Sequence, residues 1–326
     1  TVSLSTCHSR PLNEGRLRRE SRSFDTIMKN KHLLLPYLQL VASLIIVGST
    51  TVVGKLLTNS LPIFLSNGFS VIIASFIYIF ILKIKKIDLL ILTKKDYFVL
   101  FLIAFFGTFL YRILFFYGLK YTSATEAGII SSTLPAVFGV ISFILLKEKI
   151  RTNQIKGIIF SVIGILLINF NGGVSITGLF SKIFGNFLVF LSVIMGALFS
   201  VLSKFLSKKV TPIMISSVST FFSTLLLLPL LVYDGFQFNF SLLTPAGFLL
   251  ILYYGVFVSV ISFLLWFKGL TVIPISTAGV LTSLIPITGV LLSFVILKET
   301  LGFYQFIGGI FILISLFNIS KGNRPN

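Results

Sequence analysis

The chain of 326 residues is 56% hydrophobic and only 11% charged, with a mean hydropathy of +1.04, whereas about 25% of the residues of a soluble domain are charged. That composition excludes an ordinary soluble fold and makes the lipid bilayer the partner of most of the surface. The formal charge of +18 does not imply nucleic acid, because Lys and Arg punctuate apolar runs instead of clustering on one solvated face, and the single Cys7 excludes an intramolecular disulfide.

Residues 1–27 are rich in Ser and Arg and lack any apolar run, while Met28-Lys29-Asn30-Lys31 resembles a cytoplasmic start. They read as a disordered basic extension or an expression remnant; a transit peptide is the rival, weakened by Glu14, Glu20 and Asp25. Apolar runs near the 20 residues that span a bilayer then follow near 34–57, 62–82, 97–119, 123–146 and 153–170, and again near 184–206, 211–233, 245–270, 275–297 and 303–320. Turn and charge signals separate them, among them Asn59-Ser60, Lys83–Lys86, Asn171-Gly172-Gly173, Asp234-Gly235 and Lys298-Glu299. The expected fold is an all-α integral membrane protein of ten transmembrane helices.

Lys and Arg mark the cytoplasmic side. The tail and every second connection hold 22 of the 27, the opposite side holds Lys55, Lys120, Lys182 and Lys298, and Arg112 lies within a run. Both termini are therefore expected in the cytoplasm, in a multi-pass protein of the cell membrane.

The two halves repeat. A shift of 151 residues lays Gly118–Ile168 over Gly269–Ile319 without a gap, with 17 identities in 51 positions. They include Gly128 with Gly279, Pro135 with Pro286, Lys147-Glu148 with Lys298-Glu299, Gln154 with Gln305 and Gly157 with Gly308. A weaker echo lays TVVGKLL (51–57) over SVLSKFL (200–206), so the unit spans five helices. Five is odd, and the second copy must enter the membrane inverted, an arrangement that marks secondary transporters with a site near the midplane. Residues 28–175 and 176–321 form the two repeats, followed by a cytoplasmic tail at 322–326. The Lys-Glu pair itself reads as a solvated turn with local capping.

The pattern of small-residue helix, Pro, apolar run, Leu-x-Glu, five residues, Gln, two residues and Gly occurs twice, in SATEAGIISSTLPAVFGVISFILLKEKIRTNQIKGIIF and ISTAGVLTSLIPITGVLLSFVILKETLGFYQFIGGIF. It resembles the EamA domain of the drug/metabolite transporter superfamily. The resemblance covers residues 34–320 and implies an inverted five-plus-five arrangement around a central cavity, with export of an amino acid or related zwitterion as the expected activity. Import or exchange of a nucleoside, a nucleotide-linked metabolite or a drug-like cation is the alternative, and a non-transporting membrane protein the remaining one. Pro62 is followed by IFLSNGFSV, without the Arg often found there in the family, so no role of that Arg carries over.

Enzyme chemistry finds little support. There is no Gly-rich loop ending in Gly-Lys-Ser/Thr, His8 and His32 precede the first run, and of nine Asp and Glu only Glu126 lies clearly inside one. No cofactor or metal is expected.

Polar groups at membrane depth concentrate in TFLYRILFFYGLKYTSATE (108–126). Thr108, Tyr111, Arg112 and Phe115 share one helical face, and Arg112 lies about 10 Å of helix rise from the turn near Leu119. Glu126 begins the next helix on the same side, so the two charges are within reach of each other. An unpaired charge there costs about 2.5–3.5 kcal/mol. Arg112 is the candidate anchor for a substrate carboxylate and Glu126 its partner or a proton carrier; a structural ion pair is the competing reading. The aligned residues in the second copy are Phe263 and Thr277, so Phe263 with Trp266 is expected to offer an apolar wall. Pro135, beside Ser131 and Ser132, and Pro286, beside Thr282 and Ser283, are candidate kinks in gating helices, with Ser132 and Ser283 as substrate contacts. The expected partners are a small-molecule substrate, lipid and, for coupling, protons; a homodimer stays open. Single cysteines replacing Asn59 and Lys86, in a background with Cys7 replaced by Ser, are expected to react with impermeant thiol reagents from opposite faces, position 59 from outside; an extracellular C-terminus would overturn the ten-helix count.

Overall fold

The computed structural model describes residues 14–134, 136–137, 140–141, 144, 152–169, 176–207, 209–273, 278, 281–282, 284–299 and 302–322. Among these, every regular element is helical. In chain order they are α1 Glu14–Ser60, α2 Ile63–Lys85, α3 Lys94–Tyr121, α4 Ala124–Ser131, α5 Thr152–Asn169, α6 Ile176–Ser207, α7 Pro212–Gln237, α8 Pro245–Val272, α9 Leu284–Leu297 and α10 Phe303–Gly322. One 3₁₀ turn, Phe240–Leu242, precedes α8.

Six segments are long and apolar enough to cross a membrane: Leu34–Ser60, Ile63–Lys85, Lys94–Tyr121, Phe180–Ser203, Pro212–Gln237 and Pro245–Val272. The apolar stretches of α5, α9 and α10 are shorter, Ile155–Gly164, Leu284–Leu297 and Phe303–Ser315, and α4 has 8 described residues. The described residues thus support six spans where the sequence suggests ten. Residues 14–27, expected as a disordered extension, are helical and continuous with the first span in the 47-residue α1.

Side-chain distribution is that of a protein dissolved in lipid. Large apolar groups such as Phe76, Phe80, Leu225 and Phe236 face outward, while hydroxyls fill the interior, with Ser70, Ser216, Ser217, Ser219 and Ser223 all fully buried. With lipid as apolar as Leu, helix association relies on close packing and interhelical hydrogen bonds. The α2–α7 seam has both: Ser75 Oγ lies 2.8 Å from Thr224 Oγ1, which in turn donates to the Val71 carbonyl.

The packing pairs follow the sequence repeat. α1 packs on α8 and α9, α6 on α3 and α4, α2 on α8 and α7 on α3, while α2–α7, α4–α9 and α5–α10 pair across the two halves. Exchanging the copies maps this set onto itself. Two glycines show the correspondence at atomic scale. A Cβ on Gly118 would stand 2.9 Å from the Gly185 carbonyl and 2.6 Å from Val189 on α6; one on Gly269 would stand 3.2 Å from the Pro36 carbonyl and 2.5 Å from Leu40 on α1. Both contacts need a hydrogen where other residues carry a carbon. Equivalent segments of α3 and α8 also depart from α geometry, as π-helix at Phe105–Leu110 and Tyr254–Ser262, a local underwinding often found at functional sites.

Helix α2 ends in a left-handed residue, Lys86 (φ 47°, ψ 44°), with the Lys86 and Ile87 amides returning to the carbonyls of Lys83 and Leu82. This Schellman arrangement suits glycine. Lys86→Gly is expected to stabilise the protein by about 0.5–1 kcal/mol through relief of the Cβ clash, whereas Lys86→Val should cost about 1–2 kcal/mol; thermal unfolding in detergent reads both.

Candidate functional site

Between the halves lies a cavity with an empty volume of about 790 Å³, including the part open to solvent. Its lining draws equivalent positions from both copies. Gly107, Tyr111 and Arg112 of α3 answer to Val258, Ser262 and Phe263 of α8; Leu134 answers to Ile285; Val47 and Thr50 of α1 answer, by the offset of the weaker echo, to Gly196 and Phe199 of α6. Ser43, Tyr254 and Trp266 complete the part that bears on chemistry.

Arg112 is the charged member of the described lining. It is 3% exposed. Nη1 donates to Ser70 Oγ on α2 at 2.9 Å, Nη2 donates to Ser259 Oγ on α8 at 2.6 Å, and the guanidinium carbon sits 4.8 Å over the Tyr254 ring. The Ser259 hydroxyl is itself anchored, donating to the Tyr254 carbonyl at 3.0 Å. That carbonyl five residues back is within reach because the helix is π-wound there, so the local geometry that looks like a defect in α8 orients the partner of Arg112. Two hydroxyls and one ring hold the fork by hydrogen bonding and cation–π attraction but leave its charge uncompensated: among the described residues no carboxylate lies within ion-pair distance of Arg112. Two further polar atoms of the lining, Ser262 Oγ and Trp266 Nε1, are buried and without a hydrogen-bond partner among the described residues, the condition that native proteins ordinarily avoid.

The expected pairing of Arg112 with Glu126 is not what forms. Glu126 Oε1 pairs with Lys182 Nζ of α6 at 2.7 Å and accepts from Gln305 Nε2 of α10; Oε2 accepts from Asn186 Nδ2 at 3.2 Å and lies 2.8 Å from the Thr122 hydroxyl. Glu126 is 2% exposed and is absent from the described cavity lining. The physical reason is reach against supply: Lys182 and two amide donors surround the first turn of α4, whereas Arg112, lower on α3, is satisfied by hydroxyls. Of the other expected contacts, Tyr111, Phe263 and Trp266 line the cavity. Thr108 is buried outside the described lining, its hydroxyl without a hydrogen-bond partner among the described residues, and the Ser132 hydroxyl turns back to the Gly128 carbonyl. Ser283 and Pro135 lie outside the described residues; Pro286 is buried in α9, next to the lining residue Ile285.

Helix α4 ends at Ser131, four positions before Pro135 in the sequence. The Ser132 and Thr133 amides bond three residues back, to Ile129 and Ile130, and the equivalent break falls at Thr282, whose carbonyl accepts from Ile285. A proline deletes the bond to the carbonyl four residues earlier, which here means Ser131 and Thr282.

The Lys-Glu pair, expected to cap locally, reaches across the molecule. Lys298 adopts a left-handed conformation (φ 54°, ψ 29°) at the end of α9, and the following Glu299 accepts from the Ala124 and Thr125 amides at 3.1 and 2.8 Å. It thereby caps α4, whose N-cap Ser123 accepts from the Glu126 amide. Asp234, read as a turn signal, does the same for α2, accepting from the Phe64 and Leu65 amides at 2.9 and 3.1 Å. Ser70, Ser259, Tyr254, Asn186 and Asp234 carry no spacing signal that joins them to their partners; only the doubled Lys-Glu pair marked Glu299 beforehand.

Because Glu126 is buried against a partly buried Lys182, removing one partner strands a charge, at a cost of about 3–5 kcal/mol for a fully buried pair and less here, since Lys182 is 14% exposed. Glu126→Ala and Lys182→Ala should each lower the melting temperature, and the double variant should be more stable than the two losses summed; strict additivity would show that the pair contributes nothing.

Residues 34–170 and 183–321 each match the EamA-like transporter family. The chain is 40% identical over 291 residues to an uncharacterized transporter, YetK, of Bacillus subtilis (strain 168), covering 89% of this chain and 88% of that one. It is 26% identical to a second uncharacterized transporter of that organism, YyaM, over 78% and 81% of the two chains, and 26% identical to an uncharacterized transporter of Methanothermobacter thermautotrophicus over 86% and 84%. A solved crystal structure 19% identical in sequence superposes with a TM-score of 0.60 over 89% of this chain and 96% of that one, a likeness of fold alone. Two matches that together cover most of the chain, with relatives named as transporters, make it a member of the EamA-like transporter family.

Proposed function

We propose that this transporter moves a small carboxylate-bearing metabolite with an apolar body, an amino acid or related zwitterion foremost, through the Arg112 cavity, and that it works by export. The observation that carries the reading is Arg112: a buried guanidinium at membrane depth, oriented by Ser70, Ser259 and Tyr254, with no acidic partner among the described residues. Such a charge is costly to bury and fits a bidentate carboxylate. Ser262 Oγ and Trp266 Nε1, unpartnered beside it, add donors. Tyr111, Phe199 and Phe263 supply an apolar wall, and the ring faces of Tyr111 and Tyr254 can meet an ammonium. A drug-like cation would meet the like charge of Arg112. Export, cytoplasmic termini and ten spans rest on the family resemblance and the Lys/Arg distribution.

Alternating access through inverted repeats is supported by the self-matching packing pairs and by the equivalent lining positions from both copies. In this scheme α4 and α9, broken ahead of Pro135 and Pro286, are the elements that bend. Protons as coupling ion fit Glu126, the fully buried carboxylate among the described residues, acting within its cluster with Lys182 and not on Arg112.

Cells expressing the protein and challenged with toxic amino-acid analogues, apolar carboxylates and nucleoside analogues should gain resistance to the first two classes; increased sensitivity would indicate import. Arg112→Gln should weaken substrate binding by roughly 10- to 150-fold, the equivalent of about 1.5–3 kcal/mol for a charge-assisted hydrogen bond, while the melting temperature stays level or rises because a buried charge has been removed. Loss of stability with unchanged transport would make Arg112 a structural residue.

A further inference from the structure

We infer that Glu299 is a transport-cycle latch: its carboxylate, seated on the first turn of α4, holds one mouth of the cavity shut and must leave that turn for the mouth to open. The inference rests on the reading of the cavity as the transport path and goes beyond it by naming the group that controls access.

Three observations on one segment carry it. First, the two turns of α4, Ser123–Ser131, are bounded at one end by the Glu299 carboxylate and at the other by the broken turn at Ser132–Thr133. The segment is therefore a short rigid rod with a fastening at one end and a bend at the other, and cavity-lining Leu134 follows the bend directly. Second, the fastening crosses between the repeats. Ala124 and Thr125 belong to the first copy and Glu299 to the second, as do Lys182, Asn186 and Gln305, which grip Glu126 one step further along the same turn. Releasing these bonds removes the polar ties of the first turn of α4 to α6, α9 and α10 and leaves only its apolar packing. Third, the backbone is built to aim the carboxylate. Lys298 takes a left-handed conformation that a residue with a Cβ adopts at a cost of roughly 1–2 kcal/mol, and this turn directs Glu299 away from its own helix onto the amides of another.

The energetics suit a latch better than a fixed weld. A carboxylate on two helix-terminal amides gains charge-assisted hydrogen bonds and the favourable helix-end field. Glu299, however, is only partly buried, so on release it can be hydrated instead of stranded. Lys55 lies at the same end, its ammonium 2.6 Å from both the Leu119 and Thr122 carbonyls, and steadies the end of α3 against which α4 would swing. The sequence repeat gives the opposite mouth a counterpart in Glu148, whose shift-equivalent target is the pair Ile275-Ser276; all three lie outside the described residues. The equivalents of Glu126 and Lys182 are Thr277 and, by the offset of the weaker echo, Leu33, so the charges of that pair are not repeated in the sequence.

The test uses the full chain with Cys7 replaced by Ser and a reporter cysteine at Val47, a cavity position that carries no proposed substrate contact. An impermeant thiol reagent is applied to intact cells and to inside-out vesicles, with no substrate present. Glu299→Ala is expected to raise the labelling rate at least fivefold in one preparation and lower it in the other, because opening one mouth closes the opposite one; rates within twofold of the parent in both would overturn the latch. Should Glu299→Ala not accumulate, the paired variant Ala124→Cys/Glu299→Cys, bridged by a short bis-methanethiosulfonate whose two methanesulfinates leave as the disulfides form, is expected to lose transport at least tenfold and regain it on reduction. Unimpaired transport by the bridged protein, or failure of the two positions to bridge, overturns it equally. Labelling involves no substrate, so failure of the latch leaves the Arg112 reading standing, and loss of that reading through Arg112→Gln leaves these rates unmoved.

Discussion

In a chain whose surroundings are hydrocarbon, a polar group that finds no partner within the protein finds none at all. This constraint governs nearly every feature of the molecule. Arg112 is held by serines from two other helices and by a ring, Glu126 by a lysine, two amides and a hydroxyl, and the first turns of α2 and α4 by carboxylates from α7 and α9. Each satisfied group ties together helices that are distant in sequence, so the hydrogen-bond requirement serves as the main source of tertiary specificity where hydrophobic burial offers no preference between helix and lipid.

The same constraint makes exceptions informative. Among the described residues Ser262 and Trp266 leave donors unpartnered in the cavity wall, and Arg112 has only neutral ligands. In water such an arrangement would be unremarkable; inside a membrane it persists where something else completes it. Aromatic groups, Tyr111, Tyr254, Phe263 and Trp266 among them, surround it in the lining.

Repetition of the chain explains the layout but not the chemistry. Equivalent positions line the cavity from both sides, and equivalent glycines, Gly118 and Gly269, let equivalent helices touch. At the charged positions and their neighbour the copies diverge: Arg112 answers to Phe263, Tyr111 to Ser262, and Glu126 to Thr277. Duplication thus built a symmetric container, and substitution made its contents polar on one side and apolar on the other.

Membrane residence, the apolar windows, the doubled Lys-Glu pair and the offset between the halves were all legible in the residues, because hydropathy and repetition are properties of the chain itself. So was the placement of Arg112 inside the protein, since a charge seven residues inside an apolar run announces itself. Its partners were not: Ser259 stands 147 residues from Arg112, and Thr125 stands 174 residues from Glu299. No spacing rule joins such pairs. The expectation that Arg112 and Glu126 would meet followed helix periodicity and local reach, both sound, but local proximity does not decide a contest among donors. Lys182, Asn186 and Gln305 won Glu126 because two other helices, α6 and α10, bring them to the first turn of α4, and that arrangement exists only once the helices are assembled.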